Sequence, residues 1–260
     1  MTVNIPEIIV SSETELIDLF KDFHANPELG FEENRTAKII EKKLNEYGVD
    51  QIKSKIGITG IVGIIKGKKS SNRRIGIRAD MDALPIHEKT KLSYASNVAG
   101  KMHACGHDAH IVMLLGAAKY LAATRSFDGT AILIFQPAEE GLGGASKMIN
   151  DGVLKEFPCD EIYGIHNWPN HSSNKVEICV GPAMAGAEPA AAASGGRPMT
   201  EWIRRPKPYV PDLRQLGALC EGNYQRLHRL RQLEVAGCPV SEFELHREHL
   251  YLGRVRIQVL

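Results

Sequence analysis

The residues Met102-His103-Ala104-Cys105-Gly106-His107-Asp108-Ala109-His110 hold one thiol, three imidazoles and one carboxylate. Cys105 and His107 are two apart, so one short turn can point both at the same ion. Thiolate, imidazole and carboxylate donors together suit zinc or another first-row divalent cation. Two such ions sharing ligands would clamp a water and a scissile carbonyl between them. Further along stand the adjacent pair Glu139-Glu140 and a single His166, and before the cluster come Asp80 and Asp82. Neighbouring side chains tend to point different ways, so one glutamate can bind metal while the other reaches the water as general base. The reaction class this set implies is metal-assisted hydrolysis of an amide or ester. A metal-free alternative would use Cys105 as nucleophile and His107 as its base, and exhaustive chelation separates the two. Taken singly, each residue has a plainer reading. Cys105 would be a small buried hydrophobe, Glu139-Glu140 a solvated helix start, His166 a satisfied polar group, and Asp80 and Asp82 caps of a turn.

The elements that must position these groups follow from the apolar spacing. Ser12, with Glu15 three residues on, predicts a capping box opening a helix over Leu16, Leu19, Phe20 and Phe23. Pro27 disfavours helix in the residue before it, so His24 and Asn26 read as a helix-ending turn without chemistry. A second helix starts at Asn34 and stops at Gly48. Ile61–Ile65 and Ile75–Ile77 read as two strands joined by a hairpin-like connection rich in glycine and lysine. Asp80 and Asp82 come straight off the second. The strongest helix runs from His107 to Ala123, with His110 on it as a packing residue and His103 on the loop before it. Gly129–Phe135 is a continuous apolar run, hence a buried strand, and Glu139-Glu140 leaves its end. Gly144–Asp151 reads as a helix, Glu161–Ile165 as a strand ending at His166, and Lys175–Val180 as one more strand. Trp168 and Pro169 read as loop packing. Strand and helix alternate, which argues an α/β layered domain. The candidate groups sit at strand ends, where such folds place ligands.

The totals set bounds. The chain has 260 residues, 43% hydrophobic and 24% charged, enough for one large core or two smaller domains. A net charge of +1 gives no general electrostatic case for nucleic acid. No apolar run is long enough to span a membrane, and Met1–Ile8 lacks the basic and apolar regions of a signal peptide. Five widely spaced cysteines do not form a disulfide framework, which points to a reducing, cytoplasmic setting.

Six ordered motifs carry a family resemblance. They are His24-Ala-Asn-Pro-Glu-Leu-Gly-Phe31, Arg78-Ala-Asp-Met-Asp-Ala-Leu-Pro85, Met102-His-Ala-Cys-Gly-His-Asp108, Gln136-Pro-Ala-Glu-Glu140, Gly164-Ile-His-Asn-Trp-Pro169 and Gly181-Pro-Ala-Met-Ala185. Together they resemble the M20 metallopeptidases, in particular the branch of hippurate hydrolases, N-acyl-amino-acid hydrolases and auxin-conjugate hydrolases. The resemblance implies a zinc-exopeptidase-like catalytic domain with a central, mostly parallel sheet flanked by helices. It implies Cys105, His107, Glu140 and His166 as metal ligands, and Glu139 as the base that activates water and passes its proton to the leaving amine. Asp80 would support catalysis close to the metal, with Asp82 as its structural neighbour. Two divalent ions per site are expected, manganese or zinc, and the mixed donors also admit cobalt or nickel. The implied substrate is a small N-acyl amino acid.

The resemblance ends near residue 187. Relatives continue into a lid domain that pairs two subunits and carries a Gly-Gly-His motif, then return to deliver a last histidine ligand. Here Gly195-Gly196 is followed by Arg197. Residues 1–187 hold 16 Lys and 5 Arg, whereas residues 188–260 hold 1 Lys and 10 Arg. Residues 1–187 therefore read as the N-terminal part of a metallohydrolase domain. Residues 188–260 read as an irregular, non-homologous tail in place of the lid, disordered or the product of a shifted reading frame, with a basic amphipathic helix conceivable at Leu213–Leu233. The expectations for the chain as it stands are a metal-dependent amidohydrolase or an inactive metal-binding remnant of one.

Overall fold

An apolar run such as Ala131-Ile-Leu-Ile-Phe135 is stable as a strand when both of its faces are covered, and the computed structural model has that arrangement. It describes residues 5–167 and two further strands at 176–178 and 255–259, within one unit of residues 1–179 and 250–260. The helices are α1 (Glu7–Val10), α2 (Glu13–Ala25), α3 (Asn34–Glu46), α4 (His107–Thr124), α5 (Gly144–Asn150) and α6 (Val153–Glu156). The strands are β1 (Gln51–Ile56), β2 (Gly60–Lys66), β3 (Lys69–Asp80), β4 (Asp128–Gln136), β5 (Glu161–His166), β6 (Val176–Ile178) and β7 (Val255–Val259). They form one sheet in the order β1-β2-β4-β3-β5-β7-β6.

Side chains alternate across β4, as a strand's period of two requires. Ala131, Leu133 and Phe135 join a core with Leu19 and Phe23 of α2, Ile40 and Leu44 of α3, and Ile111, Leu114, Leu115 and Ala118 of α4. Ile132 and Ile134 face the other way, into a smaller cluster with Met148 of α5, Val153 of α6 and Phe157. The apolar run has no polar alternation because both faces are inside. For α4 the same logic holds: most of its circumference is buried, from His107 to Ala122.

The α/β class and most element positions match the sequence reading. Among the described residues the sheet is mixed, not mostly parallel. β3 runs parallel to β4 and β5, and β6 to β7, while β1–β2, β2–β4 and β5–β7 are antiparallel. The hairpin-like connection expected between β2 and β3 does not form. β4 lies between them, pairing Ile61–Lys66 on one edge and Arg74–Asp80 on the other. The apolar strand β4 takes both partners and so is hydrogen-bonded on both edges. The expected capping box at Ser12 is also absent, because α1 ends directly before it. The Ser12 hydroxyl donates back to Ile8 O at 2.6 Å instead of capping α2. α1, α6, β1 and β7 had no counterpart in the sequence reading. The Gly181–Ala185 motif, Trp168-Pro169, the boundary near residue 187 and the Leu213–Leu233 helix lie outside the described residues. No described helix is long and apolar enough to cross a membrane.

Glu15 ties the three large helices together. One carboxylate oxygen accepts from Lys43 Nζ and Tyr47 Oη, both at 2.9 Å, and the other accepts from Lys119 Nζ at 2.6 Å. Burial alone would raise its pKa, but the two ammoniums and the phenol outweigh it and hold the carboxyl at about 2, below its ordinary 4.5. A depressed acid stabilises the fold fully above its unfolded value, and loses that contribution as pH falls through the folded one. The side chain is 31% exposed, so solvent screening limits its worth to about 1 kcal/mol. Glu15→Gln should therefore lower unfolding free energy by about that amount at pH 7. In denaturant titrations the two proteins should converge as pH drops from 4.5 towards 2.

Candidate metal centre

Parallel strands β3, β4 and β5 end on one edge of the sheet, and that edge gathers the candidate groups. Asp80 is the last residue of β3, Glu139 and Glu140 follow β4, and His166 closes β5. The fourth contribution is the start of α4, reached through Gly106. Its φ of +83° suits glycine. A Cβ there would also stand 2.6–2.8 Å from the Asn167 side chain, so only glycine lets β5's exit pack on this turn.

His107 is the common member. Ligand-type atoms lie within 4.8 Å of one another in three groups: Cys105, His107 and His166; Asp80, His107 and His110; and His107, Glu139 and Glu140. The six residues singled out from the sequence thus come together around one imidazole. His107 is fully buried, and its Nδ1–H donates to Asp82 Oδ1 at 3.2 Å. That contact fixes the ring and leaves Nε2, which has no hydrogen-bond partner among the described residues. Nε2 stands 3.5 Å from Asp80 Oδ2, 3.8 Å from Glu140 Oε1 and 4.0 Å from Glu139 Oε2. Glu140 Oε1 is likewise buried with no partner among the described residues. His166 repeats the pattern. Its Nδ1–H donates to Asn167 O at 2.6 Å, and its Nε2 turns to Cys105 Sγ at 3.5 Å.

These features fit divalent metal. A metal-bound histidine characteristically donates its other ring N–H to a carboxylate or backbone carbonyl. Bonds of about 2.0–2.3 Å put two ligands of one ion roughly 3–4 Å apart, and the Cys105–His166 and His107–Glu140 separations fall in that interval. A buried imidazole nitrogen and carboxylate oxygen without hydrogen bonds would be costly unless something else occupied them.

Asp80 is entirely buried. It accepts from Arg78 Nη1 at 2.8 Å and from His110 Nδ1–H at 2.6 Å. Burial would raise its pKa, but the charges of His107 and Arg78 and the His110 bond hold it well below the carboxylate range. Burial likewise pushes His107 down, and Asp80 and Asp82 override it, raising the imidazole well above its usual value. Burial raises the Cys105 thiol, with His107 pulling the other way. Glu139 is raised too, by burial first and then by Asp80 and Glu140, against the pull of His107.

Several groups around the site make contacts that the sequence does not indicate. His24 is buried, with Nδ1 2.6 Å from Asp108 Oδ2 and Nε2 3.2 Å from Glu88 Oε1. It is therefore more than a helix end. His110 Nε2 faces Asn167, 2.6 Å from its Oδ1 and 3.0 Å from its backbone N–H. Arg78 Nε also donates to Gln136 Oε1 at 2.8 Å, joining the ends of β3 and β4. His103 is buried with neither ring nitrogen partnered among the described residues, and burial pushes its pKa down to about 4. The motif around His24 was visible, but its partners lie 64 and 84 residues away.

The family described as Peptidase family M20/M25/M40 matches residues 76–252. Hippurate hydrolase of Campylobacter jejuni is 48% identical over 184 residues, which is 71% of this chain and 47% of that protein. N-acetyl-L-cysteine deacetylase of Bacillus subtilis is 44% identical over 184 residues, 70% of this chain and 43% of that one. A solved dinuclear metal binding peptidase of the M20 family, also from Bacillus subtilis, superimposes with a TM-score of 0.58 at 43% identity, covering 62% of this chain and 45% of its own. The chain spans less than half the length of the curated relatives it matches. With a family match across most of its length and a shared fold, the chain belongs to peptidase family M20/M25/M40.

Proposed function

We propose that the chain carries the centre of a metal-dependent amidohydrolase that releases a free amino acid from an N-acyl amino acid of the hippurate type. The observation carrying this reading is a pair of buried atoms with no hydrogen-bond partner among the described residues, His107 Nε2 and Glu140 Oε1, 3.8 Å apart beside Glu139. Cys105, His107, Glu140 and His166 would hold two divalent ions, manganese or zinc. When bound, these would polarise the scissile carbonyl and the attacking water. Glu139 is the general base. It takes a proton from the water and returns it to the leaving amine, and burial raises its carboxyl above the ordinary value, the direction that favours holding a proton between the two transfers. Asp80 supports the site by holding His110 and facing His107 with negative charge. Asp82 fixes the His107 ring. The relatives named for hippurate hydrolysis and N-acetylcysteine deacetylation support a small acylated amino acid as substrate. A thiol used as a ligand must stay reduced, which suits the cytoplasm.

A second reading is a metal-binding remnant without turnover. It is favoured by Arg197 after Gly195-Gly196, where the family resemblance implies a histidine, although the family match itself runs on to residue 252. On this reading residues 188–260 are a tail unrelated to a lid. Resequencing the encoding DNA across codons 180–195 tests it: no single-base change that restores lid motifs downstream would sink the shifted-frame origin.

Two outcomes check the site. Cys105→Ala should lose bound metal in elemental analysis, whereas Glu139→Gln should keep it. In an assay of N-benzoyl-glycine hydrolysis, Glu139→Gln should lower turnover about 10²–10⁴-fold, the range for losing a general base. Metal bound by the wild type without turnover would favour the remnant. Exhaustive chelation should abolish hydrolysis, and hydrolysis that survives it would overturn the metal mechanism in favour of a Cys105 nucleophile.

A further inference from the structure

The loop between α2 and α3 takes no part in the steps above, yet it touches both strand ends that carry the carboxylates. Ala83 N–H donates to Glu28 O at 2.8 Å, and Leu29 bridges to Ala83 in parallel register. This fixes the chain immediately after Asp80 and Asp82. Gly30 lies against Ala138, where an added Cβ would stand 3.0 Å from both its Cα and its Cβ. Glu33 has no exposed surface. Its Oε1 accepts Ala138 N–H at 2.8 Å, and its Oε2 is 2.6 Å from the Thr59 hydroxyl, which donates to it.

Ala138 is the residue through which the chain leaves β4 for Glu139 and Glu140. Its φ is +50°, in the left-handed region that side chains rarely adopt and that persists only where the surroundings enforce it. On the far side of the same turn, Glu140 N–H donates to Asp82 Oδ2 at 2.9 Å. The turn is thus held at both ends by buried carboxylates. One of them, Asp82, also orients His107, and the other, Glu33, has no contact with the candidate ligands among its hydrogen bonds.

We propose that Glu33 is a positioning residue of the metal centre: its carboxylate clamps the Ala138 turn and so sets the directions in which Glu139 and Glu140 enter the site. The proposal rests on the reading of Glu139 as base and Glu140 as ligand. It gives the loop between α2 and α3 a role as the frame that holds two strand ends in register with each other.

The test uses the full chain with zinc alone as the probe, read by equilibrium dialysis and by amide hydrogen exchange. Glu33→Ala should speed exchange at Ala138 while β4 and α4 keep their protection, and should weaken zinc binding about 10–100-fold, the usual effect of losing a group that orients a ligand. Glu33→Gln keeps a carbonyl for Ala138 N–H and an amide that can donate to Thr59, so it should stay within about threefold of wild type, well short of that loss. Thr59→Val removes the other partner of Glu33 and should leave zinc affinity near wild type. If Glu33→Ala does not fold, Glu33→Asp, one methylene shorter with the same charge, carries the same two readouts. Unchanged exchange at Ala138, equal loss of protection throughout β4 and α4, or unchanged zinc affinity in the variant would each overturn the proposal. A wild-type chain that binds no zinc would instead overturn the functional reading on which it rests.

Discussion

The structure depends on one arrangement: a buried imidazole held between two buried aspartates at the end of β3. Removing three such groups from water is expensive, and their attraction offsets the cost only when the remaining hydrogen-bonding positions are filled. Asp80 meets that condition through Arg78 and His110, and Asp82 through His107 and the amide of Glu140. These partners come from β3 itself, from the first turn of α4 and from the chain after β4. The aspartates therefore set where β4 ends, how α4 begins and which nitrogen of His107 faces the site.

The choice of edge has a simple physical origin. Three adjacent parallel strands, β4, β3 and β5, present their C-terminal ends together, so the polar residues that terminate them meet without any long loop. α4 enters the same edge with Asp108 in its first turn. There the helix dipole favours negative charge, and the carboxylate also accepts Ala109 N–H and faces His24. The edge is rigid because its members belong to regular elements or are pinned by buried hydrogen bonds.

Much of this was legible in the sequence, and the reasons differ by residue. α4 and β4 announced themselves because an element buried on all sides needs an unbroken apolar run. Asp80, Glu139, Glu140 and His166 stood out because each follows such a run directly. β1 was invisible: its alternation of exposed and half-buried residues over Gln51–Ile56 contains only two apolar side chains. The pairing of β2 with β3 was misread because sequence proximity favours a hairpin, and nothing local reveals a strand inserted from more than 60 residues on. His24 and Glu33 were passed over for a related reason. Their chemistry is defined by partners as far as 84 and 105 residues away, which spacing within a motif does not encode.

The insertion of β4 between β2 and β3 also bears on how the chain reaches its native form. Until residues 128–136 are available β2 has only β1 as a native neighbour and β3 has none, and the natural local pairing of β2 with β3 would be a wrong one. Contacts of such long sequence separation must bear the loop-closure entropy first, which slows assembly. The cysteine and histidines of the 103–110 stretch emerge from synthesis before the strand that completes their surroundings. For that interval the thiol of Cys105 is an unprotected reactive group on an unfinished sheet.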